Sequence, residues 1–173
     1  MISRRALLQG MAAAAAIYPF SWAFGSVPSE RTLRLYNVHT DENLDIAYCL
    51  EGAYDYEALD RINHLMRCNY TNEVRPINLK VLDLLCDIKD KLGRDRRIEI
   101  ISGYRSAEYN EQLRARSKKV ARDSYHLKGL AIDFAIGGVS KNLLARAARA
   151  FFAGGVGEYL EFVHIDAGPV RSW

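Results

Sequence analysis

The chain has 173 residues, 24 basic and 21 acidic, with a formal net charge of +3. That length fits one domain with a core of its own, and so small a charge excess argues against a nucleic-acid-binding protein, which asks for a basic domain or stripe. No internal repeat, low-complexity tract or long linker is present.

At the amino end, Ser3-Arg4-Arg5-Ala6-Leu7-Leu8 leads into an alanine-rich apolar run, Met11 to Phe24. The pattern resembles a twin-arginine export signal. The run is too short to span comfortably as an ordinary transmembrane helix, and Ala23-Phe24-Gly25 offers a small-x-small cleavage site. The expectation is therefore a signal peptide over residues 1–25 and a working domain over 26–173, located in the periplasm. The twin-arginine export machinery would be a partner, and no stable membrane span would remain after cleavage. Without Arg4 and Arg5 the basic residues fall from 24 to 22 against 21 acidic ones, a net charge of +1.

Leu33 to Val38 and Leu44 to Cys49 flank His39 to Asn43, which predicts an amino-terminal hairpin. Tyr56 to Met66 and Leu79 to Leu92 carry apolar residues at helical spacing, with Asn78 as a cap and Gly93 as a stop, and predict two scaffold helices. His39 and His64 lie in no ligand pattern. Cys49, Cys68 and Cys86 are odd in number and lack zinc spacing; Cys68 and Cys86 pair if those helices pack side by side, and otherwise the thiols are buried.

Arg97 to Ile101 reads as a short strand delivering Ser102-Gly103-Tyr104-Arg105, with Gly103 in a tight turn. Arg105 would emerge at the strand end, its planar fork suited to a carbonyl or carboxylate; the alternative is a surface ion pair with Glu108. Ser106 is a candidate cap for an amphipathic helix over Ala107 to Ala115 that walls a cleft. The basic run from Arg114 to Arg122 reads as a solvated helix end and loop, or as a hold on an anionic polymer.

The densest pattern runs from Ser124 to Asp133 and has the skeleton S-x-H-x-x-G-x-A-x-D. His126 and Asp133 offer one imidazole nitrogen and one carboxylate oxygen, and His164, in Phe-Val-His-Ile-Asp, offers a third ligand. Two His and one carboxylate leave one position open on zinc, as catalytic rather than structural sites do. Leu130, Ile132, Phe134 and Ile136 alternate with Ala131, Asp133 and Ala135, and Val163 and Ile165 alternate with His164 and Asp166, so two neighbouring strands would bring Asp133 and His164 together. Gly129 gives the backbone freedom to fold the His126 loop over the sheet. Ser124 either fixes that loop or contacts substrate. Lys141 to Phe152 predicts a covering helix, Gly154 to Gly157 a flexible rim, and the closing segment from Gly168 to Trp173 a packed tail without chemistry.

Ser102 to Ser106, Ser124 to Asp133 and Phe162 to Asp166 together resemble the zinc D-alanyl-D-alanine peptidases. That group shares its fold with the hedgehog signalling domain and includes bacterial murein endopeptidases. The similarity is close over roughly the last hundred residues, and Arg31 to Gly93 resembles the exported endopeptidase branch. The resemblance implies an α+β fold, a small antiparallel sheet carrying the zinc site with flanking helices, and one Zn2+ per chain on His126, Asp133 and His164. It further implies that Arg105 stabilises charge on the scissile carbonyl. In the carboxypeptidase and dipeptidase branches an acid stands three residues before the last zinc His. Glu161 matches that place as general base, provided the strand begins after it or is bulged. Asp166 is the fallback, as base or as support for His164, and Tyr104 is a packing residue beside the substrate.

The function implied is zinc-dependent hydrolysis of amide bonds in the peptide cross-links of peptidoglycan, with D,D and L,D linkages both open. Alternatives are a D,D- or L,D-carboxypeptidase trimming stem peptides, or a non-catalytic zinc-bearing domain that binds the cell wall. A metal-free structural envelope protein is disfavoured by the three-ligand set, and a phage-type lysin by the export signal.

Overall fold

The computed structural model describes residues 30–173; the expected signal peptide lies outside the described residues. These fold as α+β, with one eight-stranded sheet and four α-helices. The strands are β1 (Glu30–Asn37), β2 (Asn43–Leu50), β3 (Ala53–Tyr54), β4 (Ile98–Ser102), β5 (Ala131–Ile136), β6 (Gly155–Glu158), β7 (Val163–Asp166) and β8 (Arg171–Ser172), in the order β3-β2-β1-β4-β5-β7-β6-β8. The helices are α1 (Tyr56–Leu65), α2 (Leu79–Leu92), α3 (Ala107–Arg116) and α4 (Lys141–Arg149).

The sheet is larger than expected and mixed rather than antiparallel, because β1 pairs parallel with β4 and β6 parallel with β8. Burial explains the first join. Leu33 and Leu35 of β1 and Ile98 and Ile100 of β4 are all fully or almost fully buried in one core, so the amino-terminal hairpin has no separate interior to fold around.

Helix ends follow the sequence. The Asn78 side chain accepts from the Lys80 amide to open α2, and Gly93 closes it at φ 134°, a conformation that favours glycine. Asp55 caps α1 by accepting from the Glu57 and Ala58 amides. The apolar stripes of α1, α2 and α4 pack on the sheet face that carries Ile132, Phe134, Val163 and Ile165. Asp133 and His164 fall on the opposite face by strand alternation. Helix α3 is not amphipathic: Asn110 is its one fully buried residue, and the helix does not wall the cleft. Instead the Asn110 amide donates to the Ala121 and Arg122 carbonyls, holding in place the loop that does.

No disulfide joins Cys68 to Cys86. The Cys68 sulfur faces the Ser106 hydroxyl at 3.5 Å, while Cys86 turns to the Thr32 carbonyl under β1. Among the described residues, no helix is long and apolar enough to cross a membrane.

Candidate metal centre and cleft

Three segments meet at one point. Ser124 opens a 3-10 turn over Tyr125–Lys128 by accepting from the His126 amide, and Gly129 ends it in the left-handed conformation at φ 64°. A Cβ at Gly129 would stand 2.2 Å from the Pro76 carbonyl oxygen, so both the turn and its close approach require glycine. The turn sets His126, 2% exposed, against β5. Asp133 and His164 are direct cross-strand partners on β5 and β7.

The donor atoms converge. Asp133 Oδ1 lies 2.7 Å from His164 Nδ1 and 3.2 Å from His126 Nε2, and the two ring nitrogens are 3.3 Å apart. Donors about 2.0–2.1 Å from a tetrahedral zinc stand about 3.3 Å from one another; two of the three separations match that spacing, and the Asp133–His164 pair is closer. The remaining ring nitrogens are committed elsewhere. His126 Nδ1 lies 2.7 Å from the Gly103 carbonyl and His164 Nε2 lies 3.1 Å from Asp166 Oδ2. Neither oxygen can donate, so those nitrogens carry the protons, and Nε2 of His126 and Nδ1 of His164 face the point where a metal ion could be held.

Burial and close charges act against one another throughout the cluster. Burial alone would raise the Asp133 carboxyl, but His126 and His164 hold it well below the usual carboxylate range. Burial pushes the His126 imidazole down, against the pull of Asp133. The His164 imidazole, for which burial is also the largest opposing effect, is carried up to about 9 by Asp133 and Asp166 on its two sides.

The cluster lies in the wall of a cleft of about 540 Å3, bounded by Lys119 to Tyr125 on one side and by Tyr159, Phe162, Arg171 and Trp173 on the other. The model of the family described as peptidoglycan L,D-endopeptidase MepK, peptidase M15_2, matches residues 26–173. The chain belongs to this MepK family. It is 42% identical to the peptidoglycan L,D-endopeptidase MepK of Escherichia coli K12 over 176 residues, covering 99% of this chain and 97% of that protein. The identity and the coverage are the same for the MepK of Shigella flexneri. A probable MepK of Haemophilus influenzae is 39% identical, covering 96% of this chain and 91% of its own. No solved structure matches.

Of the other expected residues, Arg105 and Ser124 line this cleft, and Tyr104, Glu161 and Asp166 do not. Arg105 is 8% exposed and lines the cleft; its Nη2 donates to Asp133 Oδ2 at 3.3 Å and to the Ser102 hydroxyl at 3.2 Å, and it makes no pair with Glu108. Ser124 holds the His126 turn. Tyr104 stands away from the donor atoms, its hydroxyl donating to Glu73 Oε2 at 3.1 Å.

Glu161 is the residue the fold does not bring to the cluster. Tyr159 and Phe162 stack at 4.6 Å and occupy the cleft side of the β6–β7 hairpin. Leu160 and Glu161 form its exposed tip. Asp166 is fully buried and points at His164 rather than into the cleft.

Two expectations about the carboxyl-terminal part are corrected. The glycines of 154–157 are no flexible rim: Gly155 to Gly157 are buried in β6, packed against the closing segment. That segment is itself part of the site, since Arg171 reaches Asp166 and the Trp173 ring lies 5.4 Å from that of His164. Residues 168–173 have no strand or helix periodicity; the clue available was an Arg and a Trp together in a short tail after Gly-Pro.

Proposed function

We infer that the protein is a zinc-dependent peptidoglycan endopeptidase of the L,D type, cutting the peptide cross-links between stems. The observation that carries this reading is the meeting of His126 Nε2, Asp133 Oδ1 and His164 Nδ1 in the wall of an open cleft, in a chain of the MepK family. Zinc, when bound there, supplies Lewis acidity at the scissile carbonyl and an activated water at neutral pH.

The chain's own residues do the rest. The Gly103 carbonyl and Asp166 keep the two imidazoles in the tautomers that leave the ligating nitrogens bare. Arg105 presents a buried guanidinium whose Nε has no protein partner. It meets the substrate carbonyl oxygen as negative charge grows on it, in a site where burial strengthens the interaction. Tyr125, Tyr159, Phe162 and Trp173 wall the cleft and exclude water from the stem peptide seated there. In the same reading residues 1–25 direct twin-arginine export, so that the enzyme works in the periplasm.

Glu161 carries the proton to the leaving amine in this reading when the β6–β7 hairpin tip folds over a bound stem. Glu161→Gln is then expected to lower kcat by about 10²- to 10⁴-fold with KM little changed. An unchanged kcat takes Glu161 out of the reaction.

The reading as a whole is tested by incubating the zinc-loaded protein with purified muropeptide dimers, one set joined by L,D linkages and one by D,D linkages. L,D dimers are expected to become monomers, D,D dimers to persist, and activity to vanish on chelation and return with zinc. Intact dimers of both kinds, with about one equivalent of zinc bound, would overturn it. Shortened stems in that digest would point to a carboxypeptidase.

A further inference from the structure

We propose that the carboxyl-terminal strap is a positioning element of the metal centre, with Arg171 fixing Asp166 and, through it, the ring of His164. The proposal rests on the metal-centre reading above and adds to it a residue outside the ligand set.

Asp166 is 0% exposed and accepts five hydrogen bonds. One comes from His164 Nε2, at 3.1 Å. Two come from Arg171, Nη1 to Oδ1 at 3.0 Å and Nη2 to Oδ2 at 2.7 Å. Two more come from the Gly155 and Gly168 amides, at 3.2 and 2.8 Å. A carboxylate so saturated has no free lone pair for proton transfer with substrate, but it is held rigidly. Burial opposes its ionisation, yet His164 and Arg171 hold it well below the usual carboxylate range.

Arg171 also spans the two halves of the donor set. Its guanidinium lies over the Tyr125 ring at 5.3 Å, in the turn that carries His126, and over the Trp173 ring at 5.0 Å. It therefore bridges the turn that presents one imidazole and the strand that presents the other. Three glycines leave room for this arrangement. A Cβ at Gly155 would stand 2.4 Å from Asp166 Oδ2 and 2.5 Å from Arg171 Nη1; one at Gly157 would stand 2.7 Å from the Trp173 ring; one at Gly168 would stand 2.7 Å from the Tyr125 hydroxyl.

A carboxylate behind a ligating imidazole typically changes metal affinity by about 10- to 100-fold. The test measures zinc affinity of the full chain by competition with a chromophoric chelator, and records the visible spectrum of the cobalt-substituted protein. Arg171→Met is expected to weaken zinc by about 10- to 100-fold and to shift the cobalt bands, while Asp166→Asn does the same. The double variant should be no weaker than Asp166→Asn alone, because Arg171 acts through Asp166. Arg171→Lys keeps the charge but loses the two-pronged grip. It is expected to weaken zinc by about tenfold, and it serves if Arg171→Met does not fold.

Zinc affinity within about threefold of the wild type in both Arg171 variants, or full additivity in the double variant, would overturn the proposal. If the wild type binds no zinc, or His126→Ala binds it as well as the wild type, the metal-centre reading fails and the strap proposal with it.

Discussion

Asp133→Asn is expected to abolish zinc binding at stoichiometric concentrations and to cut hydrolysis of L,D-linked dimers by at least about 10³-fold. The second figure follows from losing several kcal/mol of transition-state charge stabilisation at about 1.4 kcal/mol per tenfold. The same substitution should also weaken the metal-free fold. Asp133 Oδ2 accepts from Arg105, whose side chain is only 10% exposed, at 3.3 Å. Asparagine leaves that guanidinium buried with the Ser102 hydroxyl and without a counter-charge, a change that costs about 3–5 kcal/mol where a buried pair is broken from one side. Denaturant unfolding of the chelated proteins checks this. Adding Arg105→Met to Asp133→Asn should recover most of the lost stability, since the stranded charge goes, and recover no zinc binding at all. A metal-free Asp133→Asn as stable as the wild type would mean that water in the cleft, rather than Asp133, compensates Arg105.

The two strands that supply Asp133 and His164 were legible because each alternates apolar with polar residues, and a period of two leaves little choice of face. What the alternation does not report is the second layer. Ala131 is buried as deeply as Ile132 and Phe134, and the 3-10 turn with His126 packs against the start of that strand, on the face that a simple two-layer reading leaves open. The helix caps at Asn78 and Ser106 were equally plain, being local hydrogen bonds between a side chain and an amide two or three residues on.

Long-range pairing was not legible. Nothing in Glu30–Asn37 announces that it runs parallel to Ile98–Ser102, some sixty residues later, because parallel partners carry no turn between them to mark the register. Short strands failed for a related reason. Arg171–Ser172 is two residues long and has no period to detect, yet it delivers the guanidinium that grips Asp166. The surroundings of Glu161 were no easier to read: β7 begins after it, as its place before His164 requires, but the stacking of Tyr159 on Phe162 that leaves Leu160 and Glu161 at the exposed hairpin tip has no period in the sequence.

Gly154→Ala is expected to destabilise the fold by about 3–5 kcal/mol, a large share of the roughly 5–15 kcal/mol that holds a domain of this kind together. Two costs combine. Gly154 sits at φ 144°, where a Cβ is strained at about 1–3 kcal/mol, and the added carbon would lie 1.8 Å from the Asp166 carbonyl oxygen. That oxygen belongs to the backbone of β7, so relief requires moving the strand itself, an overpacking cost of typically 1–3 kcal/mol or more. Gly137→Ala is the contrast. Gly137 is exposed after β5 and lies outside the left-handed region, and its Cβ would meet only the end of the Glu99 side chain at 3.6 Å, so a change within about 0.5 kcal/mol is expected. Because the displaced strand carries both His164 and Asp166, any Gly154→Ala protein that still folds should also bind zinc more weakly than its stability alone accounts for. Unfolding midpoints measured with and without zinc separate these effects: a midpoint that falls equally in both states confines the damage to packing, while a larger fall with zinc present traces it to the metal centre.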